Sequence, residues 1–379
     1  MNFEPNEEQV MLLDNLRRYL NAELRPIMTK YADDTMPKQV VGQVFRQLSQ
    51  FGIGSGWTPE SSGGYGLDLI TSGLLYEELS RVSTGVAAGV CVNDAVSVLL
   101  HQQGSEEQKE AYLADLISGR RIASIAVTEP GVGSNPGGIR TRAERDGDML
   151  RISGEKTWIT NGDINDVTLL ICLVDNMPSL VLVEREDGYV SRPLKKLGQK
   201  DGSSAQLFFD DVKVPASRIV GAPGIGMREA ARSFERARCM VGIYCTGIGA
   251  EALALALDYA KERTQWGKKI GQHQLVQALL AEMATEVDCC RLLSLRALSL
   301  IEKGQRCEDA AAMAKWYSSE AVQRVTTAAI QVFGSYGLSP EYPVERLFRD
   351  ARMMNIPDGT TQIQKLIIGR ALTGMNAIA

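Results

Sequence analysis

Three short stretches of this chain hold residues whose types and spacing could do chemistry. VTEPGVGSNPGGIRTRA at 127–143 is rich in Gly, Ser and Asn, and backbone N–H groups in such a loop can cradle an anion. GEKTWITNG at 154–162 sets an aromatic ring, Trp158, beside a hydroxyl, Thr160, as a flat ligand with polar edges would require. IPDGTTQI at 356–363 carries Asp358, an acid able to move a proton if held against a substrate. Each stretch also has a plain structural reading. The first two read equally as β-domain loops with a core tryptophan. Pro-Asp-Gly is a common turn sequence, and an Asp ahead of a helix is a good N-cap.

Other chemistries are poorly supplied. The two histidines, His101 and His273, lie far apart, so Ser-His-Asp hydrolysis and His-rich metal catalysis have little to build on. The seven cysteines are scattered and never spaced CxxC, which points to buried structural thiols in a reducing compartment and to no metal. Gly247, Gly249 and Ala252 satisfy GxGxxA, but an alanine-rich helix follows in place of a βαβ unit. Small residues for close helix packing explain them better. The chemistry must come mainly from carboxylates or a bound cofactor.

The elements that must position these residues follow from texture. A chain of 379 residues holds two or three domains. Residues 1–120 read as helical, with Asn6 and Gln9 placed for a capping box. Residues 121–225 switch to short apolar runs separated by turn sequences, a compact β unit. Residues 226–379 return to helix: Leu279, Met283, Val287 and Cys290 make one apolar face, and further helices are predicted over 308–333 and 362–373. The net charge of −5 gives no basic face for nucleic acid. The longest apolar run, 167–174, is too short to span a bilayer, so no membrane insertion is expected. The start, MNFEPNEEQ, lacks the form of a signal peptide, which predicts a cytoplasmic protein.

Taken together, the two loop segments resemble the flavin-binding segments of the acyl-CoA dehydrogenases, TEPGxGSD and WITNG. The resemblance continues through YAKERTQWGKKIGQHQLVQ at 259–277 and QVFGSYGLSPEYPVERLFRDARMMNIPDGTTQIQ at 331–364. Four motifs in the family's order cover nearly the whole chain. The resemblance implies an α+β multidomain fold: an N-terminal helical domain, a middle β-barrel and a C-terminal four-helix bundle. It implies FAD as cofactor, a homotetramer, an acyl-CoA substrate, and electron-transfer flavoprotein as acceptor. By position, Val127, Thr128, Trp158 and Thr160 would line the flavin ring. Gly133 and Ser134 would serve the pyrophosphate and CoA. Arg263, Gln265, Trp266, Gln331 and Gly334 would meet the neighbouring subunit's FAD, and Thr360 and Gln362 the same chain's FAD. Trp266 stands where Phe is usual, and Ser335 replaces the second glycine of a GG pair.

The resemblance also implies α,β-dehydrogenation of a thioester, with a carboxylate removing the α-proton while the β-hydrogen leaves as hydride. The base position is Asp358, where most relatives have Glu, followed by Gly359 in the substrate site. Relatives with the base elsewhere place it before the arginine corresponding to Arg238, and Ala237 there cannot act. Glu235 is close but out of register. Arg238 should keep Asp358 ionised. An Asp is shorter than Glu by one methylene, about 1.5 Å, so either the substrate sits closer, or the backbone has moved, or the acyl group is unusual. Members of the family acting on alicyclic acyl-CoA thioesters carry Asp here, and the resemblance to them implies a ring-bearing substrate. A flavin-dependent enoyl-thioester reductase, or a dehydrogenase of carrier-protein thioesters, would use the same site; a non-catalytic flavoprotein would not need Asp358.

Overall fold

The computed structural model describes residues 4–377. Helix α1 (Glu7–Tyr19) starts from the expected capping box: Asn6 and Gln9 each donate a backbone N–H to the other's side-chain oxygen, both at 2.9 Å. One π-helical turn (Leu20–Leu24) leads into α2 (Arg25–Lys30), which has Pro26 in its first turn. The wider turn accommodates a residue that brings no N–H. Helices α3 (Lys38–Ser49), α4 (Leu69–Val82), α5 (Thr84–Gln103) and α6 (Glu106–Ile117) follow; Asp68, Ser83 and Ser105 cap the last three.

Eight strands come next: β1 (Ala123–Ala126), β2 (Arg142–Asp146), β3 (Met149–Thr160), β4 (Val167–Val174), β5 (Met177–Glu184), β6 (Val190–Pro193), β7 (Ser204–Pro215) and β8 (Ile219–Val220). They pair in the order β6-β7-β3-β2-β4-β5-β8, with β1 parallel to β4. The expected middle β domain is thus one eight-stranded sheet whose hydrogen-bonded path ends at β6 and β8, each paired along one side only.

The chain then returns to helix. α7 (Gly226–Glu262) is followed by a small hairpin, β9 (Thr264–Gln265) and β10 (Lys268–Lys269), then α8 (Gln274–Glu302), α9 (Glu308–Phe333), α10 (Val344–Met353) and α11 (Thr361–Thr373). α7, α8 and α9 pack on one another, and α10 and α11 pack on α9. The predicted face of α8 holds: Met283, Val287 and Cys290 are buried, with Leu279 packed against the same core.

One core joins α1, α3, α4 and α5 to α7, α8 and α9, so the first and last helical segments share an interior. The sheet has its own core, and a third cluster seals it against α5, α6 and the start of α7. Gly247 explains the false nucleotide motif: a Cβ there would come within 2.5 Å of the Glu77 carbonyl on α4, so α7 and α4 touch backbone to backbone. Two helices, Thr84–Gln103 and Gly226–Glu262, are long and apolar enough by length and composition to cross a membrane, and both are mostly buried within this fold. The cysteines are all free, and no metal-binding cluster occurs among the described residues.

Candidate active site

Asp358 lies in the turn between α10 and α11. Its φ is 54° and that of Gly359 is 94°, a left-handed pair that Asp tolerates and Gly adopts freely. The cap of α11 is Thr360, whose hydroxyl accepts from the Ile363 N–H, so Asp358 is not spent as an N-cap. Buried Gln364 donates to the carbonyls of Asp358 (3.0 Å) and Gly359 (2.8 Å), and Arg238 Nε donates to the Asp358 carbonyl at 3.3 Å. The backbone of the turn is therefore clamped. Its carboxylate accepts no hydrogen bond from any described residue, and the Asp358 N–H donates to none.

Burial pushes the Asp358 carboxyl above its ordinary range, and Lys315 and Arg238 pull it back. Lys315 was not singled out by sequence reading, because only folding brings α9 under the turn. It is fully buried, its Nζ donates to the Asn355 carbonyl at 2.9 Å, and burial brings its pKa down to about 8. A carboxyl that is to take up a proton must be ionised, so if Asp358 has that role, losing a nearby cation should penalise activity on the acid side. Lys315→Met is therefore expected to raise the Asp358 pKa and move the acidic limb of the kcat/KM–pH profile to higher pH. An unmoved limb in a folded variant would separate Lys315 from the base.

Two nearby positions on α7 are the reserve candidate Glu235 and the alternative base site Ala237. Glu235 accepts from the Cys307 thiol at 3.4 Å, engaged with the start of α9. Ala237 lines a pocket between α5 and α7.

Trp158 is not a core residue. The pairing of β3 with β7 slips between Lys156 and Ile159, and Trp158 has φ 60°. A bulge breaks the in–out alternation, and the ring is left 57% exposed. The two glycine-rich segments are stitched by a buried ion pair. Lys156, fully buried, donates to the Val127 carbonyl (2.7 Å) and to Glu129 Oε1 (2.9 Å), and Glu129 accepts from the N–H groups of Arg140 and Thr141. Burial disfavours the Glu129 charge, but Lys156 and Thr141 outweigh it and hold the carboxyl below its usual range. Thr157 N–H donates to the Thr128 carbonyl at 2.9 Å, which sets Val127 and Thr128 alongside the bulge that presents Trp158 and Thr160. Asn161, also left-handed, donates to the Gly89 and Ala123 carbonyls and ties the end of β3 to α5 and β1. Glu129, Lys156 and Asn161 were inside the motifs, yet nothing in the spacing marks a buried pair. Gly133 and Ser134 lie exposed on the open loop.

A second patch gathers elsewhere. Arg263, Gln265 and Trp266 sit on the β9–β10 hairpin, with Trp266 at φ 53° and 94% exposed. The Arg263 guanidinium lies 5.8 Å from the Tyr336 ring centroid, which joins the hairpin to exposed Gln331 and Gly334 at the end of α9. Gly334 has φ 62° and ψ −139°, a glycine conformation, whereas Ser335 has no left-handed φ and fits without strain. These residues make no hydrogen bond, ion pair or ring contact with the Asp358 turn or the Trp158 bulge. Thr360 and Gln362, by contrast, stand at the start of α11 beside Asp358.

This fold and these segments define an acyl-CoA dehydrogenase. Three profiles of that family match the chain: the N-terminal domain over residues 6–120, the middle domain over 124–212 and the C-terminal domain over 224–373, and the chain belongs to this FAD-dependent family. It is 34% identical to the probable acyl-CoA dehydrogenase YngJ of Bacillus subtilis, over 98% of this chain and 100% of that protein. Among solved structures, butyryl-CoA dehydrogenase from Megasphaera elsdenii superposes with a TM-score of 0.92 at 30% identity, covering 98% of this chain and 100% of that one. A glutaryl-CoA dehydrogenase from Mycobacterium smegmatis, in complex with FADH2, gives 0.93 at 25% identity, covering 99% and 97%.

Proposed function

We propose that this oxidoreductase binds FAD and dehydrogenates an acyl-CoA thioester at Cα–Cβ, with Asp358 as the base. The observation that carries this reading is the Asp358 turn: a clamped backbone, an unpartnered carboxylate, an unused N–H and two cations behind it. The residues present suit a flavin. Trp158 offers an uncovered ring beside the Thr160 hydroxyl, Val127 and Thr128, and the start of α11 with Thr360 and Gln362 offers N–H groups for phosphate. When bound, FAD supplies the acceptor for the β-hydride.

The chain's own residues do the rest. Asp358 takes the α-proton. Its N–H donates to the thioester oxygen as negative charge develops there, the role of an oxyanion-hole donor, and Gly359 lets the backbone approach closely. Arg238 keeps the carboxylate ionised. Gly133 and Ser134 serve the pyrophosphate and CoA from the open loop. Electron-transfer flavoprotein as acceptor and a cytoplasmic setting belong to the same proposal; an alicyclic acyl group is the alternative that the shorter acid at position 358 suggests by itself. Anaerobic titration with linear, branched and cyclic thioesters, watching the flavin bleach, tests it; a flavin that no thioester bleaches defeats it. If enoyl thioesters oxidise the reduced flavin faster than acyl thioesters reduce it, the protein works as a reductase.

The Arg263–Trp266 hairpin and its exposed neighbours suit a second subunit, and a homotetramer in which this patch completes the adjacent FAD site follows from the family. Trp266→Asp is expected to shift the protein to smaller species in sedimentation and to lower its bound FAD. Retention of full FAD by a Trp266→Asp monomer would contradict the shared site.

A further inference from the structure

The pocket between α5 and α7 is small, about 80 Å³, room for only a few heavy atoms. Ala237 on its α7 wall directly precedes Arg238, whose Nε donates to the Asp358 carbonyl at 3.3 Å, so the pocket adjoins the turn that carries Asp358.

A plain alkyl group would call for apolar walls throughout. This pocket instead presents donors. The half-buried Arg236 guanidinium lies over the Trp57 ring, 4.8 Å from its centroid, and makes no hydrogen bond or ion pair with any described residue. Stacking fixes the plane of the guanidinium and leaves its in-plane N–H groups free. Asp94 does not use them, because its carboxylate already accepts from Gly54 N–H (2.9 Å), Trp57 N–H (3.2 Å) and Tyr76 hydroxyl (2.7 Å). Glu229, also on the pocket wall, is bound to Arg228 (2.9 Å) and Arg232 (3.3 Å). Trp57 Nε1 is buried without a partner. Buried donors without acceptors are unfavourable until a ligand supplies one, and a carboxylate matches the fork of a guanidinium.

We propose that the acyl group of the substrate is short and ends in an oxygen acceptor, carboxylate or hydroxyl, received by Arg236 over Trp57. This rests on the thioester dehydrogenase reading and names its substrate class. Arg236 is then a specificity-determining residue, acting at the far end of the acyl group.

The test compares pentanoyl-, 4-carboxybutanoyl- and 4-hydroxybutanoyl-CoA as reductants of the holoenzyme flavin, anaerobically and below saturation. The expected result is an advantage of about tenfold or more for at least one oxygenated thioester over pentanoyl-CoA, as pockets built to bond an oxygen reject analogues lacking it. The two oxygenated arms tell carboxylate from hydroxyl. Arg236→Met should abolish the advantage while pentanoyl-CoA still bleaches the flavin, and Arg236→Lys should restore part of it. The ratio is read within one protein, so partial loss of folded enzyme does not disturb it. Calorimetric binding of the same thioesters to Asp358→Asn should follow the same order without turnover. Equal bleaching by all three, or an advantage that survives Arg236→Met, overturns the inference alone. A flavin reduced by no thioester overturns the dehydrogenase reading and this inference with it.

Discussion

Asp358→Asn should slow single-turnover flavin reduction by about 10²–10⁴-fold while FAD stays bound, the usual contribution of a positioned general base. Asparagine keeps the size and tolerates the left-handed φ of 54°, so the turn and its clamps to Gln364 and Arg238 should survive. The loss then reports the charge and proton affinity of one oxygen. A wild-type rate in Asp358→Asn, with Glu235→Gln inactive, would move the base to Glu235. Asp358→Ala with Ala237→Glu puts a carboxylate on α7 beside the acyl pocket and should recover part of the rate. Asp358→Glu probes the other half of the geometry: a longer arm should favour flexible linear thioesters if the shorter acid suits a ring. Unchanged preference would leave the alicyclic proposal unsupported.

Lys156→Met should destabilise the sheet by about 3–5 kcal/mol, because removing one member of a buried pair strands the other. Glu129 would lose the ammonium 2.9 Å away and, in an interior site, would have to take up a proton. The Val127 carbonyl would lose its donor too, so the segment presenting Val127 and Thr128 should loosen. Urea unfolding reads the stability, and flavin fluorescence of the filtrate reads FAD release. The double variant Lys156→Met with Glu129→Gln should regain much of the loss, since it removes the stranded charge. A single variant as stable as wild type would show that the pair contributes little.

The elements were largely legible. Asn6 and Gln9 stand three apart and must meet at the first turn of a helix, and α9 runs over the predicted 308–333 because its apolar period and terminal Gly334 are local signals. The tryptophan and the carboxylate each carry two readings in the sequence alone. Trp158 reads as a core residue by type and alternation, and only a slipped register against β7, which begins at Ser204 far along the chain, turns it outward. Asp358 reads as a cap until Thr360 is seen to hold that place.

What the sequence determined by itself is therefore what adjacent residues dictate: helix and strand periods, caps, turns, and the motifs that carry the family. The charges behind the site were decided by tertiary structure alone. Lys315, Lys156, Glu129 and Arg236 are ordinary residues in the sequence, and each acquires its character from partners on other elements. A charge acts through its burial and through neighbours a few ångströms away in space, and both exist only once α5, α7, α9 and the sheet have packed.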